Sequence, residues 1–269
     1  MRFIITIISF SALGFVYLGC NRYSIQKSIT RPEKMVSGWM DSSNADDRTQ
    51  YLFDHANHVT KEESANQISS YEFVKDSVII REFNKDENRF VYEFRGRVDA
   101  SNRLVSGIAN SSYIPTAPDT VDHSFHYNKD GFLTKEERIS TASDIFSIEY
   151  EYKDNQLNKV FTYSNGELYN TKEFEYYQSD FMPGLPEPFK FQKNINRLVG
   201  RSSEYLIKKI VSTGKNGKQK YILRYEYQKD PHGYAYKVIG KKGKKGRTVV
   251  NYFYAPLSNS STGLLAAMN

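Results

Sequence analysis

The residues of this 269-residue chain that could hold a metal or act on a substrate are five histidines, one cysteine and several adjacent carboxylates. His55 and His58 share a face if residues 46–60 are helical, and Asp54 sits beside them. A zinc site takes three or four ligands, and the spacing supplies no more, so the pair reads as surface histidines. His123 and His126 fall in a strand-like segment, where positions three apart face opposite sides. His123 would then lie with Phe125 while His126 turns away. No metal and no cofactor is expected. The carboxylate pairs Asp46-Asp47, Glu62-Glu63 and Glu136-Glu137 are neighbours in sequence. A glycosidase instead needs two carboxyls at a set separation across a cleft. Ser-x-x-Lys occurs at Ser24–Lys27 and Ser212–Lys215, about as often as chance allows with 27 Ser and 23 Lys. No Gly-x-Ser-x-Gly, His-Glu-x-x-His, phosphate-binding loop or calcium-loop pattern is present. The chain is therefore expected not to be an enzyme, with a polysaccharide hydrolase as the weakest alternative.

The elements that would position such residues begin with an apolar run. Arg2 is followed by Phe3–Leu18, in which only Thr6, Ser9 and Ser11 are polar. Sixteen residues fall short of the roughly 20 that span a bilayer and match the apolar part of an export signal behind a basic start. The lone cysteine, Cys20, follows at once. Tyr17-Leu18-Gly19-Cys20 resembles a bacterial lipobox, whose Cys is acylated and becomes the mature N-terminus. Gly19 fits that pattern; the family's Leu usually stands where Tyr17 does here. The resemblance implies membrane attachment through acylated Cys20. It makes residues 1–20 a signal peptide and predicts an outer-membrane lipoprotein, with the facing side left open. An uncleaved anchor is the alternative. A single Cys excludes an internal disulfide.

Residues 21–70 are polar and read as a linker with a short helix. Tyr51, Leu52, His55, Ala56 and Val59 supply the three-to-four spacing behind Asp46-Asp47. From Tyr71 the period changes to two. Segments at 71–75, 78–82, 89–94 and 103–106 read as strands between Asp/Asn turns, with a Pro-containing loop at 110–122. Residues 71–257 are taken as one β domain and 258–269 as a tail. The stretch 123–177 repeats a unit of aromatic-x-aromatic, an Asp/Asn/Gly turn, then Leu. It appears at Phe125–Leu133, Tyr150–Leu157 and Phe161–Leu168, with a further copy at Tyr225–Tyr234. Asn165-Gly166 is a two-residue hairpin signal, because both centres of a type I′ turn need positive φ. On each strand alternate residues share a side, so Tyr150 and Tyr152 oppose Glu149, Glu151 and Lys153.

These units resemble YD repeats, and the ensemble is similar to Bacteroides-type lipoproteins with degenerate YD-like hairpins and no assigned function. Pro183–Pro188 and Leu198–Ser203 stand where that family has a Pro-rich break and a Gly-x-Ser segment. The resemblance implies an all-β fold: an antiparallel meander of consecutive hairpins in a curved sheet, whose simplest form is a single layer. It carries over no catalytic residue.

Charge is uneven. The chain carries +6 overall, yet residues 201–250 hold fourteen Lys/Arg against three acids, or +11, and the remainder is −5. Gly214–Lys218 and Gly240–Gly246 read as basic hairpin tips. Lys241, Lys242, Lys244, Lys245 and Arg247 are candidate anion contacts, toward anionic lipid or acidic polysaccharide; the plainer reading is that lysines guard a strand edge. No nucleic-acid reader motif appears. Tyr127, Tyr150, Tyr152, Tyr163, Tyr225 and Tyr227 are a candidate ligand platform, or simply the core of a Tyr-rich sheet. The expected role is a non-catalytic binding or scaffold module for an envelope polymer, glycan or protein of unspecified identity. The alternative is a carrier of an acyl ligand on the aromatic face.

Overall fold

The computed structural model describes residues 34–41, 48–54, 58–111, 119–181, 198–201, 203, 205–243 and 246–256. They form sixteen strands. The first four are β1 (Lys34–Asp41), β2 (Arg48–Phe53), β3 (Val59–Glu63) and β4 (Gln67–Val74). Next come β5 (Ser77–Asn84), β6 (Arg89–Val98), β7 (Leu104–Ser111) and β8 (Asp119–Tyr127). The third quarter is β9 (Leu133–Ser140), β10 (Ile145–Lys153), β11 (Gln156–Ser164) and β12 (Glu167–Phe181). The last is β13 (Tyr205–Gly214), β14 (Gln219–Lys229), β15 (Ala235–Lys242) and β16 (Gly246–Pro256). Each strand pairs antiparallel with its sequence neighbours, and β1 pairs with β16, from Lys34 opposite Pro256 to Asp41 opposite Val250, so the meander closes into a barrel.

The all-β meander expected from the alternation is present. The short N-terminal helix is not. Arg48–Phe53 and Val59–Glu63 are strands paired as a hairpin, with Tyr51 opposite Glu62. The three-to-four spacing that suggested a helix comes from adding two short strands across a turn. Within β2 the burial alternates, with Thr49 and Tyr51 inside. At the turn, Asp54 Oδ1 accepts the His58 backbone N–H at 2.8 Å and fixes the reversal. Strand pairing thus starts at Lys34, inside the segment expected to be a polar lead-in.

Every strand has an inner and an outer side. Val78, Ile80, Phe94, Leu104 and Leu157 are fully buried on the inner side. A round sixteen-stranded barrel would leave a water channel, so complete burial here means that side chains fill the interior along this wall. Gly96 and Gly107 face each other across β6 and β7. A Cβ on Gly107 would stand 2.2 Å from the Phe94 ring and one on Gly96 2.6 Å, so the two glycines make the slot for that ring.

The inner wall changes character along the barrel. One half carries Val78, Val98, Leu104, Leu133, Leu157 and Ile207; the other carries Thr49, Ser69, Glu82, Thr162 and Ser212. Connections after even-numbered strands lie at the apolar end, where β1 begins and β16 stops. This is termed the proximal end. Connections after odd-numbered strands lie at the distal end.

Candidate functional site

The aromatic side of the hairpins is the inner side. Register places Tyr127 opposite Leu133, Tyr150 opposite Val160, Tyr152 opposite Leu157, Tyr225 opposite Gly240 and Tyr227 opposite Val238. All five pack in or against buried cores. Tyr163 is on the other face. It opposes Ser147, beside a register shift at Thr162/Tyr163, and its hydroxyl reaches Glu149 at 3.5 Å. The six tyrosines therefore do not form one surface.

Four inner tyrosines share one device at the proximal end. The hydroxyls of Tyr127, Tyr176, Tyr227 and Tyr254 donate to the carbonyls of Leu104, Leu157, Ile207 and Ala235, at 2.6, 2.8, 2.8 and 2.8 Å. Each acceptor lies at or near the start of the preceding strand, so each ring fills the core while its tip satisfies a main-chain acceptor. Burial raises the hydroxyl pKa of Tyr127 and Tyr227, and that of Tyr225 is pushed up to about 12. The loops at this end repeat as well. Asp99, Asn128 and Asp230 each accept two backbone N–H groups of their own turn, ahead of positive-φ Asn102, Gly131 and Gly233.

One sector of the distal end is basic. Lys215 and Lys218 lie in the β13–β14 turn, and the β15–β16 turn at Gly243 is at the same end, separated by two strand spacings, or about 10 Å. Gly217 (φ 73°) and Gly243 (φ 61°) take left-handed conformations that let the chain reverse tightly. Lys220 Nζ lies 4.2 Å from the centre of the Tyr169 ring, and Lys242 Nζ 4.8 Å from that of Tyr221. Lys241 is bound to Glu226 at 2.5 Å. Lys215 meets Glu167 at 3.9 Å with both side chains well exposed, a pair of little energetic worth. Among the described residues no carboxylate pairs with Lys218, Lys242 or Arg247. Of the expected anion contacts, Lys241, Lys242 and Arg247 thus come together at one rim. Lys244 and Lys245 lie outside the described residues, as do Cys20 and His55. Lys215 and Lys218, signalled by the Gly-Lys-Asn-Gly-Lys run, join this rim with Lys220; Lys220 and the stacking partners Tyr169 and Tyr221 had no such signal.

Titratable groups inside the barrel are held by protein partners. Ser69 opposes Glu62 on one side and Glu82 on the other, so both carboxylates belong to the inner wall. Tyr71 donates to Glu62 at 3.2 Å and Gln67 to Glu82 at 2.5 Å. Burial, with the Glu62 charge adding, pushes Glu82 up to about 7. Glu136 is buried and bound by Arg138 at 2.6 Å, with His123 Nδ1 3.6 Å away. His123 stacks on Phe125 at 6.1 Å and meets the edge of Phe94 at 5.5 Å, while His126 is on the outer face near Glu137. Among the described residues no group of three or more His, Cys, Asp or Glu is gathered to hold a metal.

The outer wall carries charge around its circumference. Glu93 bonds Arg81 at 2.8 Å and Arg95 at 2.7 Å. Lys135 pairs with Glu137, Lys159 with Glu173 and Lys209 with Glu175.

The fold is shared with porin-like proteins. One, from Bacteroides uniformis, matches with a TM-score of 0.60 at 12% identity, over 84% of this chain and 99% of that one. A second, from Bacteroides vulgatus, matches with a TM-score of 0.57 at 13% identity, over 82% and 99%. No protein-family model matches the chain, and no curated protein matches it in sequence. A barrel that spans lipid turns an apolar band about 25 Å tall outward. Here Arg81–Glu93, Lys135–Glu137 and Lys159–Glu173 pair on the outer wall and Glu136–Arg138 pairs inside, with aromatic residues on both faces. Exposed apolar residues such as Phe90, Ile108 and Ile139 are interspersed among the charges.

Proposed function

We propose that this chain is a lipid-tethered envelope protein whose barrel stands in water and binds an acidic envelope polysaccharide through its distal rim, without catalysis. The observation that carries the reading is the convergence of two Gly-Lys hairpin tips at the end opposite the chain's entry and exit. The apolar run ending at Cys20, the charged outer wall and the likeness to porin-like folds support the envelope setting. Exposed lysines beside tyrosine rings suit a repeating, flexible anion, because each contact is weak and many can form. The carrier reading has less support, since the aromatic wall is packed against the protein's own side chains.

The test is titration of the full chain in nonionic detergent with polygalacturonate across salt. Binding at low salt that weakens steeply by about 0.15 M is expected. Replacing Lys215, Lys218, Lys242, Lys244 and Lys245 by Gln should lower affinity at least about tenfold. No binding at low salt, or equal binding by the variant, would overturn the reading.

A further inference from the structure

The proximal end holds a second cationic site, built differently. The β6–β7 turn (99–103), the β8–β9 turn (128–132) and the segment 198–201 meet there. Leu198 and Val199 are buried and join the core, anchoring the segment across the barrel end. The Arg201 backbone N–H donates to the Gly131 carbonyl at 3.0 Å. Gly200 has φ 78°, and a Cβ there would stand 2.6 Å from the Gly131 carbonyl oxygen and 2.8 Å from the Tyr127 ring. Only glycine permits so close a crossing.

Beside this crossing lies a cleft of about 500 Å³, lined in part by Arg103, Lys129, Asp130 and Arg201. The two guanidinium groups are held in advance. Arg103 lies 4.6 Å from the centre of the Tyr127 ring and is clasped by Asp99 through Nε (2.8 Å) and Nη2 (2.6 Å). Those bonds hold the Asp99 carboxyl below the usual carboxylate range. Arg201 lies 4.7 Å from the centre of the Phe132 ring, and its Nη1 reaches the Asp130 carbonyl at 3.4 Å. Both flank Gly131: a Cβ on that residue would be 3.2 Å from Arg103 Nη1 and 3.7 Å from Arg201 Cδ. Lys129 is exposed at the turn tip. Arg103, Lys129 and Arg201 thus stand with two carboxylates, Asp99 bonded to Arg103 and Asp130 in the lining. Stacked, pre-set arginines lose little entropy when they bind a planar or tetrahedral oxyanion.

We propose that this cleft binds the phosphate of a membrane lipid headgroup. β1 begins and β16 stops at this end, so the chain preceding Lys34 joins the barrel at the end that carries the cleft. The volume exceeds what one inorganic phosphate fills, leaving room for the glycerol that follows it. The inference rests on the tether in the proposed function and is independent of the rim.

The test is calorimetric titration of the full chain in nonionic detergent with short-chain phosphatidic acid, and separately with inorganic phosphate. The lipid should bind more tightly than inorganic phosphate. Lys129→Gln with Arg201→Gln should weaken lipid binding at least about tenfold. Lys129→Glu, confined to an exposed turn residue, should weaken it several-fold and keeps the test valid if the double variant does not fold. Rim variants Lys215→Gln and Lys218→Gln should bind the lipid unchanged, which separates this outcome from failure of the polysaccharide reading. Equal affinity for lipid and inorganic phosphate, no binding of either, or wild-type affinity in Lys129→Glu would overturn the proposal.

Discussion

The two ends of the barrel solve opposite problems with the same hairpin. At the proximal end the inner wall is aliphatic and aromatic, tyrosine hydroxyls tie down strand starts, and the turns are pinned by Asp or Asn side chains. At the distal end the inner wall carries Thr49, Ser69, Glu82 and Ser212, and two of the tips are glycine and lysine. Apolar burial and main-chain satisfaction hold the first end. Exposed lysine-bearing turns mark the second. The contrast locates stability at one end and adaptable charge at the other.

The sharpest way to break the contrast is a cavity. Leu104→Ala at the proximal end should cost about 3–4 kcal/mol in denaturant unfolding, because Leu104 is fully buried. Ser212→Ala, equally buried at the distal half and bonded to Asn170 at 2.8 Å, should cost only about 1 kcal/mol. Similar losses at both would erase the distinction.

Acid–base linkage gives the next effect. The Glu82 carboxyl, raised from 4.5 to about 7, holds its proton more tightly when folded. Its contribution to stability is therefore best below pH 4.5 and is lost as pH rises through about 7. Glu82→Gln should stabilise the barrel by at most about 3 kcal/mol at pH 8 and by nothing at pH 4. Thermal melts at both values check the sign, and a gain at pH 4 equal to that at pH 8 would contradict it.

Smaller still is a latch. Tyr227→Phe removes the donor to the Ile207 carbonyl and should cost about 1–2 kcal/mol. Smallest is the rim, where Lys218→Gln should move unfolding by less than about 0.5 kcal/mol. A larger loss there would mean that the distal tip is structural.

Much of the sheet was legible in the sequence because its face pattern is local. Alternation within the segments of 71–94 and 123–163 marks strands, and Asn165-Gly166 takes the positive φ values its type demands, 50° and 80°. His123 and His126 separate to inner and outer faces as their spacing requires. Tyr163 shows where this stops. One bulge breaks the parity of its strand, and Phe161 and Tyr163 sit outside although their aromatic-x-aromatic unit looks like its neighbours. The N-terminal hairpin read as a helix because two short strands across a turn imitate helical spacing. The closure of β1 on β16, and the meeting of Arg103 with Arg201, join residues far apart in the chain and leave no local trace.

The seam between Lys34 and Pro256 also has a temporal meaning. β1 and β16 are the first and last of the described strands, and joining the two costs about 5 kcal/mol of loop entropy. Until they meet, the meander keeps an unsatisfied edge on each side, so a chain whose seam has not formed stays open. The barrel is thereby completed by its longest-range pairing.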